Sequence, residues 1–371
     1  MNFAFSDEQE ALRSSVRKFL ANTSPESEVR RLMETAEGYD PEVWRQLAGQ
    51  LGLTALIVPA EYGGQGFTFL ELVIVFEEMG RSLLCAPFFS TVAMATTLLL
   101  ALDDETACKD LLPQIADGSR IATVALAEET GSWIPADVAM TAARTEAGWA
   151  LSGEKFYVTD GHIADVVLVV ARTPAGLSVL AVDRGAAGLA ANLSSAMDKT
   201  RKLARLTFDG TPARLVGPEG GAEGAVARML DLAVVALAAE QVGGAQRVLE
   251  IAVGYAKIRE QFGRPIGSFQ AIKHKCANML LEIEASKSAA YYAGWAAAED
   301  DAELPAAASV AKAYCSEAYV HAAAENIQIH GGIGFTWEHP AHLYFKRAKS
   351  SELFLGAPDY HRERLLQGIN V

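Results

Sequence analysis

Apolar residues recur at helical spacing through the first third of the chain, as Leu12, Val16 and Leu20 illustrate. A capping-box pattern at positions 6–9 marks the start of this first helix. Helical spacing continues to about residue 119. The sequence therefore predicts an all-α domain over residues 1–119.

The hydrophobic period changes over the next hundred residues. Short runs rich in Val, Leu and Ile are separated there by Gly, Asp and Pro, a pattern typical of strands and turns. The runs predicted to be strands are 121–127, 149–151, 156–159, 166–171 and 177–182. The sequence therefore predicts a small β-domain over residues 120–218.

Long helical patterns return after Gly224. The first of them ends at the turn 263–265. The predicted helices that follow span 269–299, 305–330 and 339–367. Four antiparallel helices with short connections form a bundle, so residues 219–371 are predicted to be a four-helix bundle. The predicted fold class of the whole chain is α+β.

Composition limits the kinds of partner. The chain has 371 residues, with 32 Lys and Arg against 46 Asp and Glu, so its net charge is −14. Nucleic acid is not expected as a partner, because each neutralised phosphate needs a cationic side chain. The four cysteines form no C-x-x-C pair, which predicts neither a disulfide framework nor a metal site. A reducing, cytoplasmic setting fits best, and no export signal or membrane span is expected.

Two segments carry candidate chemistry. Residues 259–270 place a guanidinium, an aromatic ring and an amide around a tight turn, and such a set can pair with a phosphate and cover a ring system. Residues 328–335 end a helix with glycines that let a ligand or another backbone approach closely. A helix-turn-helix corner explains the first segment equally well, and a glycine C-cap is the commoner role of the second. Their occurrence on one predicted bundle favours a binding function.

At these motifs the chain resembles the acyl-CoA dehydrogenase family, over nearly its whole length. The segments that carry the resemblance are Val58 to Gly66, Gly153 to Gly161, Arg259 to Gln270 and Gln328 to Phe335. Each is weak alone, but their order and separations are specific. The resemblance implies an N-terminal α-helical domain, a middle β-barrel-like domain and a C-terminal four-helix bundle, in agreement with the hydrophobic pattern.

The resemblance also implies a reaction. In that family a glutamate removes the α-proton of an acyl-CoA thioester while the β-hydrogen passes as hydride to FAD, which yields a 2-enoyl-CoA. The α-carbon is a weak acid, so the reaction needs a well-placed carboxylate. FAD is thus the expected cofactor, an acyl-CoA the expected substrate and an electron-transfer flavoprotein the expected acceptor.

The position of that glutamate can be located in this chain by its distance from the family's motifs. Ungapped alignment from Gln328 places it at Leu355. The second position, used by the branch that handles long or branched acyl groups, falls at Ala233. Neither side chain can accept a proton, so no catalytic base is expected here. The other carboxylates close in sequence are Glu240, Glu352 and Asp359, and each is expected to be a solvated or capping group.

The expected flavin contacts divide into two sets. In the family each FAD lies between two subunits, and the contacts supplied by a neighbouring subunit are intact in this chain. They are Arg259, Gln261, Phe262, Ile266, Phe269, Gln270, Gln328 and Gly332. Among contacts made within one subunit, the loop 127–133 departs from the family pattern and Ala357 replaces the threonine after the base, although Thr159 remains.

These features together resemble the base-lacking subunit of the α2β2 acyl-CoA dehydrogenases that actinobacteria use on steroid side-chain CoA thioesters. The partner would be a homologous subunit carrying the glutamate. One alternative is a self-sufficient homotetramer with a displaced base such as Glu240. Another is a non-enzymatic acyl-CoA or partner-binding scaffold. A flavin-dependent oxidase or nitroalkane-type enzyme is a further relative on this fold, but it too would need an acid or base at the two empty positions.

Overall fold

The computed structural model describes residues 5–146 and 148–368, which pack into two compact units. One unit takes the described part of Met1–Arg30, then Phe69–Leu84 and the described part of Val234–Val371. The other takes Arg31–Thr68 and the described part of Cys85–Ala233. The domain limits at residues 119 and 218 remain a prediction.

Helices dominate both ends of the chain. The N-terminal helices are α1 (Asp7–Thr23), α2 (Glu26–Leu32), α3 (Pro41–Gly49), α4 (Phe69–Ser82), α5 (Thr97–Leu102) and α6 (Glu105–Ala116). The C-terminal helices are α7 (Glu223–Ile258), α8 (Gln270–Ala298), α9 (Leu304–His330), α10 (Ala341–Leu353) and α11 (Pro358–Gly368). The capping box predicted for α1 is present, since Ser6 Oγ accepts the N–H of Gln9 and the Gln9 amide accepts the N–H of Ser6.

Strands occupy the middle of the chain. They are β1 (Ala122–Ala125), β2 (Thr141–Thr145), β3 (Gly148–Thr159), β4 (Val166–Thr173), β5 (Gly176–Asp183), β6 (Leu189–Leu193) and β7 (Leu203–Val216). Pairing in the order β4-β2-β3-β7-β5 returns to β4 and closes a barrel, which removes free sheet edges. Strand β1 runs parallel to β4, and β6 pairs with β7. The α+β fold class is thereby confirmed.

Two predictions about these elements were wrong. The runs 149–151 and 156–159 belong to one strand, β3, and the predicted helix 339–367 is two helices. The break lies at residues 354–357, where Leu355 and Gly356 have φ of +61° and +103°. Pro358 follows, and a proline disfavours helical geometry in the residue before it. No helix of the described residues is long and apolar enough to cross a membrane.

Candidate functional site

The turn after α7 displays an aromatic ring. The strands β8 (Glu260–Gln261) and β9 (Arg264–Pro265) form a hairpin whose two turn residues, Phe262 and Gly263, have φ of +55° and +74°. Positive φ at both positions is the type I′ geometry, which costs a non-glycine residue about 1–2 kcal/mol. The Phe262 residue is nevertheless 92% exposed. A strained turn that presents an aromatic ring to its surroundings is a candidate binding element.

Cationic and amide groups surround this ring. The exposed Arg259 guanidinium has no hydrogen bond or ion pair among the described residues. The rings of Phe262 and Phe269 meet edge to face at 6.0 Å, and the guanidinium of Arg264 lies 4.2 Å from the Phe269 ring centre. Gln270 begins α8, and its amide lies 3.3 Å from the His274 imidazole. A free cation beside an aromatic surface suits a phosphate-bearing ring compound.

The second segment follows the end of α9. Gly331 has φ of +62°, which a glycine adopts without strain. A Cβ added at Gly332 would meet nothing within 4 Å, so its backbone is open to an approaching group. The amide of Gln328 is exposed, and among the described residues it has no hydrogen-bond partner. The cavity beside Gln328 measures about 440 Å³ and is lined in part by Phe335 and Trp337. Another cavity, of about 450 Å³, lies away from this segment.

The position expected for the base is a buried turn. Leu355 is 2% exposed and lies between α10 and α11. Nζ of Lys312 donates to the carbonyl oxygens of Glu352 at 3.0 Å and Gly356 at 2.9 Å. Nε2 of His361 lies 2.9 Å from the carbonyl oxygen of Leu355. Hydrogen bonds to its backbone thus hold the turn in place.

Burial changes the titration of both groups that hold this turn. It lowers the pKa of Lys312 to about 7, although the carboxylate of Glu352 opposes the shift. It also lowers the pKa of His361 to about 4. His361 is therefore neutral at physiological pH, with its proton on Nε2, because the carbonyl of Leu355 can only accept.

The three carboxylates close in sequence to the expected base positions each form an ion pair. Glu240 is buried and accepts from Nη1 of Arg347 at 2.7 Å. Glu352 pairs with Lys349, and the almost fully exposed side chain of Asp359 pairs with Arg362. Ala233, at the second base position, is a buried residue of α7. Glu240 differs from the solvated or capping role expected for it, because it is buried and ion-paired, whereas the exposed Asp359 matches that expectation.

The barrel unit carries the remaining expected contacts. Thr159 is buried at the end of β3, and its hydroxyl has no hydrogen-bond partner among the described residues. In the altered loop 127–133, the hydroxyl of Ser132 donates to the carboxylate of Asp137, which follows the loop, at 2.6 Å. Glu128 accepts from Nζ of the buried Lys155 at 2.8 Å. The Thr159 hydroxyl is therefore a group in this unit that a ligand could satisfy.

These residues fit a flavin dinucleotide by the chemistry of their donors. The free Arg259 guanidinium suits a diphosphate, the exposed Phe262 ring suits a planar ring, and the open backbone at Gly332 permits close approach. Several residues that support the candidate segments, the turn at Leu355 or the position of Glu240 through hydrogen bonds or ring contacts were not identified from the sequence. They are Tyr255, Lys312, His330, His339, Arg347 and His361. Hydrogen bonds and ring contacts between distant positions identify them, and the sequence carries no local signal for such contacts.

Family models match almost the whole chain. The acyl-CoA dehydrogenase N-terminal domain matches residues 6–119, the middle domain matches 123–210 and the C-terminal domain matches 220–369. The chain belongs to the acyl-CoA dehydrogenase family, whose members are FAD-using oxidoreductases that act on CH–CH bonds.

Individual relatives cover the chain equally well. It is 36% identical over 352 residues to acyl-CoA dehydrogenase IpdE2 of Mycobacterium tuberculosis, covering 95% of this chain and 94% of that protein. The ChsE4–ChsE5 complex from the same organism includes a chain with 29% identity and a TM-score of 0.90, covering 100% and 99%. A variant of the steroid acyl-CoA dehydrogenase Tcur3481–Tcur3483 has 33% identity and a TM-score of 0.88, covering 98% of each chain.

Proposed function

We propose that this chain is the base-lacking subunit of a heteromeric acyl-CoA dehydrogenase that forms a 2-enoyl-CoA from a bulky, steroid-derived CoA thioester. The observation that carries the proposal is a contrast within one unit. The surface around Arg259, Phe262 and Gln328 is exposed and open to a ligand, whereas the base position holds the buried Leu355. The chain thus has groups to hold FAD but no proton acceptor at either expected position.

In the assembled enzyme, this chain would supply one half of the FAD site of its partner. The residues that would hold the cofactor are Arg259, Gln261, Phe262, Ile266, Phe269, Gln270, Gln328 and Gly332. FAD, when bound, accepts the hydride of the dehydrogenation. The partner's glutamate would remove the α-proton, and an electron-transfer flavoprotein would be the electron acceptor. The residues of this chain orient the cofactor and shield it from water.

The substrate class and the heteromeric state rest on the relatives. One similar structure is named as a steroid enzyme, and another is a complex of two differently named chains. The buried Glu240–Arg347 pair weighs against the alternative of a homotetramer that uses Glu240 as its base. A cytoplasmic location is part of the proposal. It is supported by Cys85, Cys108, Cys276 and Cys315, which form no disulfide in the described part of the chain.

Co-expression with a homologous subunit that carries the glutamate tests this function. We expect a stable complex with fewer flavins than subunits, and dehydrogenation that depends on the partner's glutamate. Arg259→Ala should lower the flavin content of the complex. Arg45→Ala is a matched control, because Arg45 is an exposed arginine whose ion pair is with Glu42 of its own helix. A purified homo-oligomer of this chain with one FAD per chain and full turnover would refute the proposal.

A further inference from the structure

Three adjacent rings form a partly tilted stack that joins segments 259–270 and 328–335. The ring centroids of Tyr255 and His330 lie 4.2 Å apart at an interplanar angle of 25°, and those of His330 and His339 lie 4.2 Å apart at 48°. The carbonyl of Tyr255 accepts the N–H of Arg259 at 2.9 Å, and His330 is the last residue of α9. The stack therefore links the end of α7 to the end of α9.

We propose that Tyr255, His330 and His339 are positioning residues that fix the spacing of segments 259–270 and 328–335, and that flavin retention requires both imidazoles to be neutral. This inference rests on the proposed role of those segments in holding FAD. The stack acts through its neighbours, since Arg259 follows Tyr255 by one helical turn and Gly331 directly follows His330. A change in the ring contacts would alter the distance between the two segments whose residues would hold the cofactor.

Hydrogen bonds assign the neutral form of each imidazole. Nδ1 of His330 lies 2.8 Å from the carbonyl oxygen of Asn326, which can only accept, so this nitrogen carries the proton. Nδ1 of His339 accepts the backbone N–H of Ala341 at 3.2 Å, so this nitrogen carries none. Protonation of His339 at Nδ1 would place two donors against each other and break this hydrogen bond to the first residue of α10.

The surroundings of the stack also favour neutral imidazoles. Burial lowers the pKa of His330 and of His339, and the pKa of His339 is lowered further by His330. The charged and titratable groups that act on His339 from neighbouring elements are Glu26 and Arg30 of α2 and His342 of α10. Arg30 pairs with Glu26 at 2.8 Å. Acidification would place two positive charges on adjacent rings. Their repulsion separates the rings, so the distance between segments 259–270 and 328–335 is no longer fixed.

Flavin retention by the complex with the base-bearing partner tests this role. FAD per complex is measured after desalting at a series of pH values from 8 to 5. We expect the wild-type complex to hold FAD at pH 8 and to lose it as the pH falls through the titration of the two histidines. His330→Ala removes the stack and should weaken FAD binding about tenfold even at pH 8. His330→Phe keeps a stacked ring that cannot be protonated, so it should hold FAD at pH 8 and lose less of it at low pH.

The controls separate this inference from the proposed function. His321→Phe changes an exposed histidine of α9 outside the stack and should keep the wild-type pH profile. Thermal melting by circular dichroism identifies any variant that has lost its fold, and the conservative His330→Phe variant then decides the outcome. If Arg259→Ala lowers flavin content but both His330 variants match wild type at every pH, the stack has no positioning role. A wild-type complex without FAD at pH 8 overturns the proposed function itself.

Discussion

Oε1 of Glu240 accepts a hydrogen bond from Nη1 of Arg347 at 2.7 Å, and both residues are buried. The pair joins α7 to α10. Breaking a buried ion pair by removing one partner is strongly destabilising. The contact therefore gives Glu240 a structural role in holding α7 against α10.

The structural role of Glu240 predicts the effect of Glu240→Gln. We expect the free energy of unfolding to fall by roughly 3 kcal/mol, because the substitution breaks the buried ion pair between Glu240 and Arg347. The dehydrogenation rate per bound flavin in the complex should stay close to wild type. Urea denaturation measures the first quantity and single-turnover flavin reduction the second. Loss of proton abstraction with retained FAD would instead support a homotetramer that uses Glu240 as its base.

The titration of Lys312 predicts a pH dependence of stability. The unfolded lysine stays protonated up to about pH 10.4, whereas burial lowers its pKa in the folded chain to about 7. Between these values the unfolded chain holds the extra proton, so this residue makes the folded state less stable as the pH falls. The contribution is at most about 1.4 kcal/mol per pH unit.

Lys312→Met tests this linkage through the difference between two stability curves. The free energy of unfolding of each protein is measured by denaturant titration from pH 6.5 to pH 9. The wild-type free energy of unfolding minus that of the Met variant should increase with pH above about 7. Lys273→Met, at an exposed lysine, is the control and should leave no slope. A flat difference for Lys312→Met would contradict the prediction.

The strained turn at Phe262 predicts opposite effects on stability and on binding. Phe262→Asn places a residue that favours type I′ turns before Gly263, so we expect stability to rise by up to about 1 kcal/mol. The same change removes the exposed ring and should lower the flavin content of the complex. Denaturant midpoints and FAD absorbance measure the two effects. A variant that is less stable yet keeps its flavin would show that the ring packs within the chain instead of binding a ligand.

A buried ionic cluster predicts a large loss of stability in Arg13→Met. Nη1 of Arg13 donates to Glu77 at 2.7 Å, and the hydroxyl of Tyr291 donates to the same carboxylate oxygen at 2.7 Å. Removal of the cation leaves the buried carboxylate of Glu77 without this charge partner, at a cost of roughly 3–5 kcal/mol. Arg45→Met, at a mostly exposed arginine, should cost less than about 1 kcal/mol. Equal costs for the two variants would contradict this assignment.

The local hydrophobic pattern was sufficient to predict the long helices and those barrel strands that have continuous apolar runs. The run 166–171 was predicted because nearly every residue of β4 is buried, so its sequence is uniformly apolar. Strand β6 was missed because four of its five residues are exposed and carry no such pattern. The predicted helix 339–367 was wrong because the apolar period was continued across Gly356 and Pro358, which are local signals for a break. The hydrogen bonds from Lys312 and His361 that hold the break leave no local pattern.

The candidate site was predictable only as a set of motifs. The segments 259–270 and 328–335 could be located from their residue types, and their assignment to flavin binding stays a prediction. The stack of Tyr255, His330 and His339 could not be inferred, because its members come from three different parts of the chain. Ring stacking depends on how α7, α9 and α10 pack. The strain at Phe262 was equally hidden, since a phenylalanine is not a usual turn residue.

The backbone support beneath Leu355 has an evolutionary consequence. Lys312 and His361 hydrogen-bond to carbonyl groups of residues 352–356, and these bonds form whatever side chain position 355 carries. The residue at this position can therefore change during evolution while the hydrogen bonds that shape the turn are kept.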